Sequence, residues 1–152
     1  MIIDSRNEFG SAVSVAAGVG TTVFNEKVID MAAAGLLGPA MPDVYLVIQV
    51  HTTFDFANTT DTCQFTLASD DSAASFSTTT SSVHLKTKAY TEGELTEGKT
   101  LYVGKLPYAS AETYERYLGL LCTLAGGTLS TGKVTAFLTP DPAAWVALAD
   151  AV

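Results

Sequence analysis

Thr62-Cys63-Gln64-Phe65-Thr66-Leu67-Ala68 decides the fold class, because apolar and polar side chains alternate one by one along it. Period two sets Cys63, Phe65 and Leu67 on one face and Thr62, Gln64 and Thr66 on the other, the pattern of a half-buried β-strand. Upstream, Val44-Tyr45-Leu46-Val47-Ile48-Gln49-Val50 repeats it, with Val44, Leu46, Ile48 and Val50 inward. Its opposite face, with Tyr45 and Val47, offers a partner an apolar surface. Downstream, Val83-His84-Leu85-Lys86-Thr87-Lys88 alternates in the same way and leaves His84, Lys86 and Lys88 to solvent, while Leu101-Tyr102-Val103 is shorter and stops before Pro107. Tyr117 to Leu124 and Val134 to Thr139 predict two more strands, paired antiparallel through a long hairpin connection containing Gly126-Gly127 and Thr131-Gly132. Ala12 to Ala17, Thr22 to Phe24 and Lys27 to Asp30 supply shorter strands, broken by Gly18 and Gly20.

These segments give about eight short strands at near-regular spacing, which predicts an all-β, antiparallel sandwich or barrel. The chain has 152 residues, enough for one domain spanning 1–152 with a real core. Hydrophobic residues make up 47% and charged residues 16%, with Ser and Thr filling outward strand positions. At the end, Asp141 can cap and Pro142 fits a first helical position, so Ala143 to Leu148 predicts a short helix or turn. Trp145, the single tryptophan, is expected to plug one end of the sandwich or to lie on a neighbouring subunit. Ser69 to Ser82 is low in complexity and reads as a mobile surface loop, with Phe76 folding back onto the sheet.

Eight basic residues stand against sixteen acidic ones, a net charge of −8, and the basic residues form no cluster. Nucleic acid and anionic membranes, which need a basic face or an amphipathic basic segment, are therefore not expected partners. No secretory leader pattern opens the chain, and no apolar run approaches the roughly 18 residues of a membrane span. Cys63 and Cys122 fall in alternating segments and are expected as free buried thiols. The sequon Asn58-Thr59-Thr60 is then accidental.

Catalytic patterns fail on inspection. Gly127-Thr128-Leu129-Ser130-Thr131-Gly132-Lys133-Val134 has the spacing of a phosphate loop but puts Val134 where a magnesium-binding hydroxyl belongs, and it runs into a strand instead of a helix. His51 and His84 form no His-x-His pair, Cys63 faces inward, and no Gly-x-Ser-x-Gly elbow exists. Asp55, Asp61, Asp70 and Asp71 lie in predicted loops without the spacing of a calcium loop. Glu92, Glu94 and Glu97 read as an acidic hairpin exposed to water. The expectation is a non-enzyme without cofactor or metal.

Three stretches are more specific: Met1-Ile2-Ile3-Asp4-Ser5-Arg6-Asn7-Glu8-Phe9, Tyr114-Glu115-Arg116-Tyr117-Leu118-Gly119 and Ala136-Phe137-Leu138-Thr139-Pro140-Asp141-Pro142. Together they resemble the small capsid cement (decoration) proteins of short-tailed bacteriophages, of the Bordetella phage type. The resemblance implies a jelly roll and a structural virion protein on the outer surface of the head, where it clamps neighbouring subunits of the major capsid protein after expansion. It also implies a homo-oligomer, with a dimer favoured over a trimer, made in the host bacterial cytoplasm. Residues 1–10 then read as a contact arm, with Ile2, Ile3 and Phe9 as apolar anchors and Asp4, Arg6 and Glu8 setting register; alternatively Ile2 and Ile3 form an edge strand of the protein's own sheet. Tyr114, Arg116, Tyr117 and Trp145 complete the contact candidates, since Tyr, Trp and Arg are enriched in interface cores. A carbohydrate-binding jelly roll is the alternative, with Phe54, Phe56, Tyr90 and Tyr108 as candidate stacking platforms.

Overall fold

The computed structural model describes residues 5–33, 43–74, 76–77, 79–107 and 113–142. Nine strands are found among them: β1 (Glu8–Ser14), β2 (Gly20–Asp30), β3 (Tyr45–Phe56), β4 (Thr62–Asp70), β5 (Ser82–Lys86), β6 (Tyr90–Thr91), β7 (Thr100–Lys105), β8 (Tyr117–Ala125) and β9 (Leu129–Thr139). They form two antiparallel sheets, one in the order β1-β9-β3-β7 and the other β2-β8-β4-β5, with the two-residue β6 also beside β4. The protein is an all-β sandwich. Ile2, Ile3, Asp4, Tyr108, Trp145 and the expected helix from 143 onward lie outside the described residues.

The core is built by the alternation that the sequence displays. Leu46, Ile48 and Val50 of β3 meet Cys63, Phe65 and Leu67 of β4 and Leu118, Leu120, Cys122 and Leu124 of β8 in one buried cluster. Removing each such large side chain from water contributes roughly 1.5–3 kcal/mol, the driving force for closing the sheets on one another.

Several expectations are corrected. β8 and β9 are not a hairpin: β8 pairs with β2 and β4, whereas β9 pairs with β1 and β3. The connection between them crosses from one sheet to the other. It fits tightly because Gly126, at φ 101°, and Gly127 leave room for the Asp61 carboxylate; a Cβ on either would come within 2.2 or 2.3 Å of its oxygens. The two short segments at 22–24 and 27–30 are one strand, β2, whose pairing shifts between Val23 and Val28 around Asn25, at φ 58°. β1 begins at Glu8, four residues before the expected start.

β5 also departs from its reading. Leu85 pairs with Leu67 but Val83 pairs with Ala68, so His84 is an extra, bulged residue. The bulge reverses the alternation: His84 is 9% exposed, while Val83 is 37% exposed. Val47 is likewise unavailable to a partner. With its register partner Phe137 it is fully buried, on the face of the first sheet opposite Leu46, Ile48 and Val50. The segment after β4 is pinned: Ser81 donates to Asp70 Oδ2 at 2.9 Å, and the Phe76 ring lies over Gly119, where a Cβ would come within 2.6 Å of it.

Candidate functional site

The strand registers bring the described parts of the three specific sequence stretches, residues 5–9, 114–119 and 136–142, to one end of the sandwich. In the first sheet Glu8, at the start of β1, lies beside Phe137, and Thr139, at the end of β9, lies beside Tyr45. In the second sheet the start of β8, Tyr117, lies between the last residues of β2 and β4, Asp30 and Asp70. β1 and β2 face each other across the sandwich, tied by Asn25 Nδ2 donating to the Phe9 carbonyl at 3.2 Å. A 3-10 turn at Ser5–Asn7 packs against β2 and β9 at this same end. Residues separated by more than a hundred positions thus share a surface.

A polar network organises it. Arg116 lies along Asp30, with Nη2 donating to Oδ2 at 2.9 Å and Nε within 3.3 Å of both carboxylate oxygens. The guanidinium hydrogen-bonded to Asp30 holds that carboxyl below its usual range, and Asp30 raises Arg116 in return. The guanidinium carbon also sits 5.1 Å from the Tyr117 ring centroid, a cation–π distance. Next to it, Tyr114 stacks on His84 with ring centroids 3.7 Å apart and planes within 14°. His84 Nε2 lies 2.7 Å from Ser69 Oγ, which accepts the Glu115 N–H at 3.0 Å. Ser82 Oγ donates to Glu115 Oε1 at 2.6 Å. Strand β8 is therefore fixed at its entry by side chains from β2, β4 and β5.

Of the contact candidates, Tyr114, Arg116 and Tyr117 come together here, with Arg116 exposed and both tyrosines half-buried. Arg6 is exposed and Glu8 half-buried on the β1 side. Phe9 is fully buried in the protein's own core, so the anchor role expected for it is corrected to a core one. His84, Ser69 and Asp30 were missed as members of this surface. Their contacts form through pairing of distant strands, and only the bulge at His84 turns that ring inward.

Other chemical patterns disperse. His51 is exposed, with Nδ1 3.2 Å from Thr52 Oγ1, and lies in the other sheet from the enclosed His84. Asp70, Asp71 and Glu115 bring carboxylate oxygens within 4.8 Å of one another. The chain's own donors occupy two of them: Asp70 accepts from Ser72 N–H at 3.0 Å and from Ser81, and Glu115 accepts from Ser82. These bonds, that from Ser72 foremost, hold the Asp70 carboxyl below the usual range. The acidic stretch at 92–97 is not a hairpin: it opens with a 3-10 turn, Glu92–Glu94, in which Glu94 pairs with Lys88 and accepts the Thr91 N–H, while Glu92 accepts the Phe56 N–H. Phe54, Phe56 and Tyr90 are 1%, 6% and 7% exposed, so none offers a face for sugar stacking. The phosphate-loop near-match runs into β9, an extended strand without the helix that such a loop must open.

The geometry defines a two-sheet antiparallel β-sandwich with a cross-braced polar and aromatic end. A family model described as Bbp16 matches residues 13–138, from within β1 to the end of β9, and the chain belongs to the Bbp16 family. The name suggests a Bordetella phage protein family. No match is found among the curated proteins.

Proposed function

We propose that this sandwich is a jelly roll and that the protein decorates the outside of a tailed-phage head, cementing neighbouring major capsid subunits in the expanded shell. With the minor strand β6 set aside, the two sheets interleave the chain so that the first and last strands are adjacent and consecutive strands alternate between sheets, except for β4 and β5, which pair within one, as two Greek keys wrapped together would. One observation carries the functional reading: the described parts of the three stretches that resemble cement proteins lie at a single end of the scaffold. Tyr114, Arg116 and Tyr117 present aromatic and guanidinium groups there, the chemistry enriched at interface centres. The protein makes and breaks no bond in this role. Modest contacts repeated over symmetry-related sites hold the shell, and assembly as a homodimer doubles the contacts per particle. The net charge of −8 suits the outer surface, away from packaged nucleic acid.

The test is co-sedimentation of the purified protein with expanded, undecorated heads of its parent phage, followed by an osmotic or heat challenge. Saturable binding that raises the survival of the heads is the expected result. Absence of binding would overturn the cement role, and glycan recognition would then be tested on an array; the burial of Phe54, Phe56 and Tyr90 already removes three of the four rings on which it rested.

A further inference from the structure

We propose that Cys63 and Cys122 form a latent disulfide, closed by a hydroperoxide or a comparable small two-electron oxidant that enters through the cavity between β1 and β2. The two thiols face inward from adjacent strands, 0% and 2% exposed, with their sulfurs 3.4 Å apart. In register, Cys63 stands opposite Leu124 and Cys122 opposite Phe65, so the pair is diagonal across the β4–β8 ladder. A disulfide needs about 2.05 Å between the sulfurs, which side-chain rotation with a small strand adjustment must supply.

Access comes from the side of the sandwich where the edge strands of the two sheets face one another. A cavity of about 350 Å³ lies there, lined by Val13, Val15, Thr22, Phe24 and Asn25, and Cys122 contributes to its wall. Thr22 is the register partner of Cys122, which puts the thiol on the strand next to the edge strand β2. Both edges are irregular at this point: Ala12 and Asn25 adopt φ of 51° and 58°, and the pairings of β1 and β2 each shift register alongside them. Left-handed non-glycine backbone is costly, and it leaves the edges bowed where a regular pair of strands would close over the core.

The chemistry balances with hydrogen peroxide as the co-reactant. The Cys122 sulfur attacks one peroxide oxygen as its S–H proton is lost; the O–O bond breaks, and the departing hydroxide takes up that proton as water, leaving a sulfenic acid. The Cys63 sulfur then attacks the Cys122 sulfur, the S–O bond breaks, and the Cys63 proton leaves with the hydroxide as a second water. Two thiols lose two protons and two electrons, and the peroxide is reduced to two waters. The hydrogen bond to Cys122, followed by burial, pushes the Cys63 thiol up; the cavity wall, to which Cys122 contributes, assigns the first attack to Cys122. The consequence is a covalent tie between β4 and β8 once the protein leaves a reducing cell, closing a long loop and restricting the unfolded chain.

The experiment treats the folded, reduced protein with hydrogen peroxide, removes the peroxide with catalase, then denatures, alkylates with iodoacetamide and maps the peptides. The untreated protein should take up two alkyl groups. The treated protein should take up none, give a Cys63–Cys122 cross-linked peptide and melt at least about 5 °C higher. Circular dichroism taken throughout confirms that the reacting state is folded. Retention of both alkylatable thiols, over-oxidation of Cys122 without a cross-link, or a cross-link only in denaturant would each overturn the proposal. In Cys63→Ala the sulfenic acid on Cys122 should persist and be captured by dimedone; an unreactive Cys122 in that folded variant also overturns it. None of these outcomes depends on binding to a capsid.

Discussion

Asp70 shows how a single residue holds an element in place. At the last position of β4 it accepts from the Ser72 N–H and the Ser81 hydroxyl, closing the segment that lays Phe76 over Gly119. Its carboxyl is depressed from the ordinary value of 3.8, so the folded state prefers the ionised form more than the unfolded chain does. The sign follows: this stabilisation is present above the unfolded value and is lost as pH falls through the lower folded one. Denaturant titrations of the wild type should therefore show stability falling as pH drops below 3.8. Asp70→Asn should be less stable at neutral pH and flatter over that acid range. An acid limb of unchanged slope in the variant would remove Asp70 from this role. Asp30, depressed chiefly by its hydrogen bond to Arg116, adds a contribution of the same sign.

At the scale of the element, β8 is held at its entry by Arg116 on Asp30, Tyr114 on His84 and Glu115 on Ser69 and Ser82. The Arg116 side chain is 58% exposed, and an ion pair so open to water contributes little to stability. Its exposed guanidinium has more to offer a partner. Arg116→Ala should accordingly leave the melting temperature within about 2 °C of wild type while raising the half-saturating concentration on heads about tenfold or more. A large fall in melting temperature with unchanged binding would make the residue a brace only. The strands themselves were legible where apolar and polar residues alternate, as at the start of β4, although both faces are buried through the middle of β3, β4 and β8 and only their apolar content marks them there. What alternation cannot encode is the partner of a strand. β8 and β9 look like a hairpin, yet they lie in different sheets, and the bulge that turns His84 inward has no local signature in Val83-His84-Leu85. The contact candidates at 114–117 were legible as residues, but their meeting with Asp30 and His84 depends on those pairings.

At the scale of the whole molecule, the question is which part of the shared end meets the shell. Glu8 already belongs to β1, Phe9 is sealed in the core and the turn at Ser5–Asn7 packs against β2 and β9, so the part that can be removed without touching this packing stops before Ser5. Deleting Met1 to Asp4 leaves the packed turn at Ser5–Asn7, the register of Glu8 on Phe137 and the buried Phe9 in place, which predicts a melting temperature close to wild type. If the segment is the arm, its loss removes one contact from every symmetry-related site at once. A loss of about 1.4 kcal/mol at each site is tenfold in affinity there, and where two copies of a dimer must hold together the losses multiply. Co-sedimentation should then show the half-saturating concentration rising by about a hundredfold and the protection of heated heads disappearing. Undiminished protection by the truncated protein would transfer the contact to Tyr114, Arg116 and Tyr117. A collapse of the melting temperature would show instead that the segment completes the protein's own sheet, because an element whose removal unfolds the sandwich cannot be a free arm.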